Sequence, residues 1–491
     1  MNDPERNSIL AIVLSFLVLL IWWSSISKRP APPANKPAAV KADNLGKTEV
    51  AEKENGEISD EEIGEEETLE IKNANLRCLF GRESGQLHHL YLKENSGEVD
   101  LILPDSPLPF VLKANGNILK TPTVSEKNNS VLVSYPGTAL TFSLKDNYLM
   151  VNAANRRNTP LEISWAGGIG TDPGLLKEQL KRKLQRFHIN DGKVKKISSL
   201  LEKRLYGWVS ISNRYFLIAF FPDGKIPMLC DPKNPEKLIS FSAGTGELNL
   251  KILIAQKEYA ALTKRGDGLQ KTLDLGLFSF LSIFFIHILS FFESITGNYG
   301  WSICILTGII QFFMFPLTKK NLKSAEAMKR IQPYVKKLQQ QYKDDPKRMQ
   351  SELMNLYKIQ KVNPLGGCLP MLLQIPIFWS LFTMLQELVE LRGAPWILWL
   401  TDLSKPDALF GHFPSFVPLL GGWPIGPLPL LMGLTMFLQQ RLTITDPQQK
   451  AFLLMPIFFT FIFLKFPSGL VLYWFTSNLL TFGQQLILTK K

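Results

Sequence analysis

The chain beyond residue 298 is dominated by long apolar segments, and these constrain its fold more than any other feature. A helix that crosses a bilayer needs about 20 mainly apolar residues. None of the apolar segments carries Asp, Glu, Lys or Arg at its centre, and Phe and Trp are frequent, as is usual for lipid-facing and interfacial surfaces. They occupy 299–317, 366–389, 425–440, 451–465 and 468–488. This pattern predicts a polytopic α-helical membrane protein.

A further apolar segment, 8–25, lies near the N-terminus and ends at Trp22 and Trp23. A cleaved signal peptide is the alternative, but the first seven residues hold only Arg6 against two acidic residues, and no small-x-small site precedes Lys28. We therefore expect residues 1–27 to form an uncleaved signal-anchor helix. Residues 28–67 are rich first in Pro and Ala and then in Glu, so we expect a disordered linker.

Residues 68–258 change to short apolar runs with period-2 alternation, separated by Asn-Gly and Pro-Gly breaks. This texture predicts antiparallel strands and, over such a length, an extracytoplasmic β-sandwich domain. The basic stretch 177–206 interrupts the pattern, and we expect a helix or a long loop there.

Residues 276–296 are long enough for another span. However, Ser279, Ser282, Ser290 and Glu293 recur on one helical face, with His287 beside it. We therefore expect an amphipathic helix lying in the membrane interface, within a region at 259–297.

Residues 319–361 contain twelve Lys or Arg and four Asp or Glu. Apolar residues recur at helical spacing on both sides of Asp344-Asp345-Pro346, which predicts a helical hairpin. A short basic loop beside a span lies in the cytoplasm by the positive-inside rule. With 276–296 left out of the count, this gives six spans, both termini in the cytoplasm, and the β-domain outside.

The formal charge of +12 invites a nucleic-acid function, but the basic residues cluster beside a span, where they are more often a topology signal. The cysteines have no metal-binding spacing; Cys78 and Cys230 share a compartment, and whether they pair stays open. Adjacent His88 and His89 point to opposite faces of a strand, so they do not form one catalytic site directly. We expect no enzymatic activity.

Several stretches resemble the YidC membrane protein insertases, in the larger Gram-negative form with a periplasmic domain. The resemblance covers about 207–489 and rests on VNPLGGCLPMLLQIPIFWSLFTML (362–385), FMFPLTKK (313–320), ELRGAPWILWLTDLSKPD (390–407), TDPQQK (445–450), FPSGLVLYWFTSNLL (466–480) and GWVSISNRYFLIAFFP (207–222).

This resemblance implies a five-helix insertase core at 298–491, enclosing a hydrophilic groove open to the cytoplasm and the lipid. It implies a bacterial inner-membrane protein that inserts and folds nascent membrane proteins, alone or with the Sec translocon, without a cofactor. A small-solute transporter is the alternative, but we see neither repeat halves nor a central charge. A structural scaffold for the β-domain is a third hypothesis, which leaves the polar residues of the spans unexplained.

Polar residues form stripes within the spans. In the last span Trp474, Asn478, Thr481 and Gln485 share one face, widened by Tyr473, Ser477 and Gln484, and Thr307 and Gln311 share a face of an earlier span. From the residues alone, hydrogen bonding between helices explains such stripes. The resemblance assigns Thr307, Gln311, Tyr473 and Trp474 to the groove, and Ser477 and Asn478 complete the predicted site.

Much of the family carries arginine at the position of Gln311, so we expect this groove to work by hydration and not by a fixed cation. The positive charge of the basic hairpin suits three alternative partners: the ribosome, anionic membrane lipids and targeting factors. A solvated helix pair that only fixes topology is the alternative. The candidate contact residues are Lys329, Arg330, Lys336, Lys337, Lys347 and Arg348.

Overall fold

The computed structural model describes residues 66–489, apart from 95–96, 104–105, 156–158, 171–184, 202, 225, 236, 244–246, 361–368, 418–419 and 444–453. The predicted signal-anchor helix at 1–27 and almost all of the predicted linker at 28–67 lie outside the described residues.

Antiparallel strands occupy 68–256, as the alternating pattern predicts. In β9, for example, buried and half-buried residues alternate, so that one face of the strand meets a core. The strands are β1 (Thr68–Lys72), β2 (Leu76–Gly81), β3 (Leu87–Glu94), β4 (Gly97–Asp100), β5 (Val111–Ala114), β6 (Asn117–Ile118), β7 (Thr123–Lys127), β8 (Ser130–Tyr135), β9 (Thr138–Lys145), β10 (Tyr148–Asn155), β11 (Leu161–Trp165), β12 (Arg186–Asn190), β13 (Val194–Ile197), β14 (Trp208–Ser212), β15 (Phe216–Pro222), β16 (Met228–Cys230), β17 (Ile239–Ala243) and β18 (Leu248–Gln256).

The described strands form two packed layers. One layer is a nine-stranded sheet in the order β13-β12-β14-β15-β18-β10-β9-β8-β7. Against it lie a five-stranded sheet, β16-β17-β11-β5-β6, and a four-stranded sheet, β1-β2-β3-β4. Aromatic contacts join the layers: Phe220 lies 5.3 Å from Trp165 of the five-stranded sheet, and Phe142 lies 4.8 Å from Phe80 of the four-stranded sheet, between ring centroids. This arrangement is a β-sandwich.

The prediction of a helix or long loop over 177–206 is wrong for residues 186–197, whereas the described residues from 198 to 206 form neither a helix nor a named strand. Residues 186–197 form β12 and β13, and β13 is the edge strand of the nine-stranded sheet. Lys195 and Lys196 are exposed on that edge. Charged side chains are common on edge strands because they prevent pairing with other chains, so the basic composition is compatible with a strand.

The remaining chain is mainly helical. A 3₁₀ turn at Leu269–Thr272 follows α1, and another at Val389–Leu391 follows α5. The helices are α1 (Tyr259–Arg265), α2 (Ser279–Thr296), α3 (Tyr299–Gln341), α4 (Pro346–Ile359), α5 (Leu369–Glu387), α6 (Pro427–Thr443), α7 (Met455–Phe463) and α8 (Ser468–Thr489).

The predicted polar face of helix α2 is only partly buried, since Ser279, His287 and Ser290 are exposed. Ser282 is fully buried, and its hydroxyl donates to the carbonyl of Ser380 on α5 at 3.1 Å. A small polar side chain allows two helices to approach closely, which explains a serine at this contact. The apolar side chains of Phe280 and Phe284 are exposed as well.

The two helical runs of the basic segment are present and form a hairpin. Helix α3 continues from the apolar segment 299–317 into the first run, and α4 begins where Asp345 accepts a hydrogen bond from the backbone N–H of Arg348. Ile331 and Val335 of α3 pack against apolar residues of α4. The break at Asp344-Asp345-Pro346 was therefore predicted correctly.

Two helices in the described part of the chain are long and apolar enough to cross a membrane, α2 and α3. We expect helix α2 to lie in the membrane interface. Length and composition alone do not distinguish an interfacial helix from one that crosses the membrane. The six-span arrangement therefore stays a prediction.

The end of α5 is joined to the β-sandwich by a buried ionic cluster. Arg186 of β12 donates two hydrogen bonds to Glu387, at 2.5 and 2.8 Å, and Lys257 contacts the same carboxylate at 3.2 Å. The backbone carbonyl of Gln386 accepts from Arg214. Cations at a helix C-terminus satisfy its free carbonyls and its negative dipole end, so the β-sandwich caps α5.

Candidate functional site

A polar cavity of about 230 Å³ lies between helices α3, α5, α6 and α8. Every lining side chain except Met314 and Leu322 carries a polar atom, and none of the lining residues carries a formal charge at neutral pH. The lining residues are Gln311, Met314, Thr318, Asn321, Leu322, Gln374, Gln439, Tyr473, Trp474, Ser477, Asn478, Thr481 and Gln485. A cavity of this size and polarity has room for several water molecules.

The lining follows from helical periodicity. On α8 the cavity residues recur every four positions from Tyr473 and Trp474 to Gln485, and on α3 they recur at steps of three and four from Gln311 to Leu322. Residues at these spacings share one face of a helix. Helices α3 and α8 pack against each other, so the two polar faces meet.

Hydrogen bonds cross the cavity between helices. Gln311 Nε2 donates to Ser477 Oγ at 2.6 Å, and Gln374 Nε2 donates to Tyr473 Oη at 2.7 Å. The Nδ2 of Asn478 is buried and has no hydrogen-bond partner among the described residues. A buried donor without a partner is costly, so this face favours a polar occupant.

One end of the cavity is closed by aromatic side chains. Trp474 lies between Phe378, at 4.9 Å, and Phe463, at 5.1 Å, measured between ring centroids. Tyr473 is 1% exposed. This is the end towards the β-sandwich, because the start of α8 is tied to the loop that follows α5 by a hydrogen bond from the Ser468 N–H to the Lys405 carbonyl.

The other end of the cavity lies towards the basic hairpin. Thr318 and Asn321 follow Gln311 along α3 in the direction of the hairpin, and Gln485 lies near the opposite end of α8 from Ser468. From Tyr473 to Gln485 a helix rises about 18 Å, more than half of a hydrocarbon core. The polar face therefore reaches deep among the apolar helices from the hairpin side.

The structure brings together five of the six predicted groove residues: Gln311, Tyr473, Trp474, Ser477 and Asn478. Thr307 does not line the cavity. It is fully buried one turn closer to the β-sandwich, and its hydroxyl donates to the backbone carbonyl of Ile303 at 2.6 Å. Internal hydrogen bonding of this kind is a common way for a helix to bury a threonine.

Several cavity residues are absent from the predicted site. Gln374, Thr481 and Gln485 belong to the polar residues of the spans, whereas Asn321 and Gln439 lie at or beyond the ends of the apolar segments. Their positions on the faces of α3 and α6 become informative only once it is known which helices are neighbours.

The six candidate contact residues of the basic hairpin are all exposed to solvent. Arg348 stacks over the ring of Tyr342 at 5.2 Å. The hairpin therefore presents an accessible positive surface.

The histidines of the β-sandwich have separate partners. His88 Nε2 lies 3.3 Å from Glu66, and His89 Nδ1 lies 2.6 Å from Asp100, so the prediction that they do not form one site is confirmed. Cys78 and Cys230 are buried free thiols. Within the described residues no group of three or more His, Cys, Asp or Glu is arranged to hold a metal ion.

Comparison with known proteins identifies the family to which this chain belongs. The sequence profile of the family described as 60Kd inner membrane protein matches residues 291–491. The membrane protein insertase YidC of Endomicrobium trichonymphae is 37% identical over 99% of this chain and 98% of its own length. The chain belongs to the YidC family of bacterial inner-membrane proteins.

A second YidC insertase, from Pelobacter propionicus, is 34% identical over 99% of both chains. Among solved structures, an active YidC insertase with its first transmembrane domain resolved covers 86% of this chain and 92% of its own, at 18% identity and a TM-score of 0.42.

Proposed function

We propose that this chain is an insertase and chaperone, which moves a polar segment of a nascent membrane protein into the bilayer through the polar cavity. The observation that carries the proposal is the cavity itself, a continuous face of uncharged polar groups from Tyr473 to Gln485 among helices that are otherwise apolar. Membership of the YidC insertase family supports the same function.

The proposed path follows from the cost of placing polar groups in hydrocarbon. Unpaired backbone and side-chain polar groups cost several kcal/mol each in lipid. Within the cavity, amides and hydroxyls such as those of Gln311 and Asn478 exchange hydrogen bonds with the substrate, which shortens the apolar distance it must cross. The substrate's own apolar helix then leaves sideways into lipid, driven by burial of its surface.

The cavity offers hydration where much of the family offers a cation. Gln311 donates to Ser477, and both groups can donate or accept when a substrate arrives. Such a site does not select for acidic segments. No metal, nucleotide or bond-making step enters the proposal.

The proposed topology has six spans with both termini in the cytoplasm. The spans are 1–27 and the apolar parts of α3, α5, α6, α7 and α8, with α2 in the outer interface. The β-sandwich at 68–258 is periplasmic, and the insertase core comprises 298–491 with its hairpin at 319–361. The hairpin is rich in basic residues, and the loop between α5 and α6 contains few. This difference supports the orientation by the positive-inside rule.

The proposed partners are nascent membrane proteins, with the Sec translocon, the ribosome and membrane lipids as further contacts. The exposed cations of the hairpin, Lys336 and Lys337 among them, suit anionic ribosomal RNA or lipid headgroups.

Site-specific photocrosslinking tests the path. A stalled nascent membrane protein is presented to chains that carry a photoreactive residue at Gln311 or Ser477. Matched controls carry it at the adjacent Phe312, which is 74% exposed, or at Leu479, which is 47% exposed. We expect crosslinks to the polar part of the substrate at 311 and 477 and none, or lipid adducts only, at the control positions.

A photoreactive residue at Thr307 tests whether the substrate contacts the cavity lining or the whole polar face that the sequence predicts. Because Thr307 lies outside the lining, we expect a much weaker crosslink there than at 311. Equal yields at cavity and control positions would overturn the proposed path and leave the polar residues as contacts between helices.

A further inference from the structure

The loop between α5 and α6 contains a long stretch without charge. No Asp, Glu, Lys or Arg occurs from 408 to 440, although 408–426 precede α6 and the described residues among them are not helical. Loops of this length on a water-exposed surface usually carry charged residues. The composition of 408–426, here called the apolar loop, therefore continues that of the helix it precedes.

The described part of the apolar loop is fixed by its own backbone. The N–H of Phe410 donates to the carbonyl of Ile425 at 2.9 Å, and that of Phe413 donates to the carbonyl of Trp423 at 2.8 Å. At its base, Asp407 accepts hydrogen bonds from Trp399 Nε1 at 3.1 Å and from the Leu428 N–H at 2.8 Å. These hydrogen bonds hold the described part of the loop in a defined conformation.

This ordered backbone holds apolar side chains outwards. Phe416 is 82% exposed, Phe410 61% and Leu409 53%. Three exposed apolar side chains within eight residues are unusual for a water-exposed part of a protein that has no partner.

The loop lies at the end of the helices that faces the β-sandwich. It follows α5, whose last residue, Glu387, is bound by Arg186 of β12. Lys465, which precedes α8, places its Nζ 3.9 Å from the ring centroid of Trp423 in the loop. Tryptophan and lysine side chains are typical of the boundary between hydrocarbon and water.

We propose that the apolar loop is inserted into the headgroup layer on the periplasmic side of the membrane, with Phe416 and Phe410 reaching the ends of the acyl chains. Non-helical backbone is excluded from the hydrocarbon centre but is tolerated at the interface. The absence of charge and the outward aromatic residues suit a lipid surface. The inference rests on the proposed six-span topology.

By this placement the loop sets the depth of α6, which contributes Gln439 to the polar cavity. The interfacial contact anchors the periplasmic end of α6, while the cavity lies at its other end.

Fluorescence quenching in liposomes tests the inference. The full chain with Phe416→Cys is labelled with an environment-sensitive fluorophore and reconstituted in phosphatidylethanolamine and phosphatidylglycerol. Two matched labels serve as references: Ile118→Cys, 53% exposed on β6, and Leu434→Cys, 53% exposed in the middle of α6. Labelled parent chain gives the background from its own cysteines.

We expect the label at 416 to be quenched by lipids with a nitroxide near the headgroup and shielded from aqueous iodide. The label at 118 should show the reverse, and the label at 434 should respond to a nitroxide deep in the acyl chain. Iodide quenching at 416 equal to that at 118, or shielding from both quenchers, would overturn the inference; the latter would indicate that protein covers the loop. Loss of deep quenching at 434 would instead overturn the topology, and the crosslinking test of the cavity is independent of both.

Discussion

Removal of the carboxylate of Glu387 should loosen the β-sandwich from the helices. This side chain is 7% exposed, Lys257 is fully buried, and Arg186 is 23% exposed. The single carboxylate contacts both cations at distances of 2.5 to 3.2 Å, and its one negative charge offsets one of their two positive charges. Its replacement by Glu387→Gln leaves two cations facing a neutral amide.

The size of the effect follows from burial. Breaking a buried ion pair by removing one partner costs about 3–5 kcal/mol, because a desolvated charge remains. Water can reach Arg186 when the junction opens, so we expect the lower end, about 3 kcal/mol. The control Glu98→Gln removes the partner of Arg77 where both side chains are more than 30% exposed, and should cost less than about 1 kcal/mol.

Urea unfolding of the purified chain in detergent, compared between the two variants, measures this difference. Replacing all three groups by methionine, R186M/K257M/E387M, should recover much of the stability because no unpaired charge remains. The reasoning is refuted if Glu387→Gln and Glu98→Gln lower the midpoint equally. Since α5 also carries Gln374, insertion activity should fall with Glu387→Gln and not with the control.

Two further predictions concern single residues. Burial and the nearby cations of Lys257, Lys196 and Arg186 lower the pKa of His188 to about 4. The imidazole of the unfolded chain therefore binds a proton near pH 6.5, whereas that of the folded chain binds one only near pH 4. The free energy of unfolding should then fall by up to about 3 kcal/mol as the pH is lowered through this window. In urea unfolding measured over a pH series, His188→Leu should flatten this part of the curve, and an unchanged slope would contradict the assignment. In the cavity, Gln311→Ala should slow insertion about threefold, the value of one hydrogen bond of about 0.6 kcal/mol in a membrane. Protease protection of the translocated segment in proteoliposomes measures this, and complete loss of insertion would show that hydration alone is too weak an explanation.

Local patterns were sufficient to predict most secondary structure. The alternation in 138–145 and 148–155 predicts the strands β9 and β10, and the helix stop at Asp344-Asp345-Pro346 predicts the turn between α3 and α4. The error at β13 has a physical cause. An edge strand is half solvated, so its lysines break the alternation on which the prediction of strands depends.

The cavity was predictable only in part, because a polar stripe indicates a face but not what that face meets. The face of α8 was identified from its four-residue spacing, and the structure brings it against Gln311. Thr307 has the same spacing to Gln311, yet its hydroxyl is satisfied by its own helix. Sequence periodicity cannot distinguish a threonine that turns to its own backbone from one that faces a neighbouring helix.

The polar groups of the cavity are paired with one another by hydrogen bonds between neutral groups. This pairing explains how the cavity can be stable among apolar helices and still accept a substrate. Gln311 with Ser477 and Gln374 with Tyr473 satisfy one another across helices, so the apolar bundle does not bear the full cost of buried amides. Neutral partners are also readily exchanged, since a hydrogen bond between uncharged groups in a membrane is worth only about 0.6 kcal/mol on average. Breaking a buried ion pair like that of Glu387 costs far more, about 3–5 kcal/mol. The ionic contacts therefore belong at the junction with the β-sandwich, where position must be kept, and the neutral contacts belong in the cavity, where a substrate must replace them.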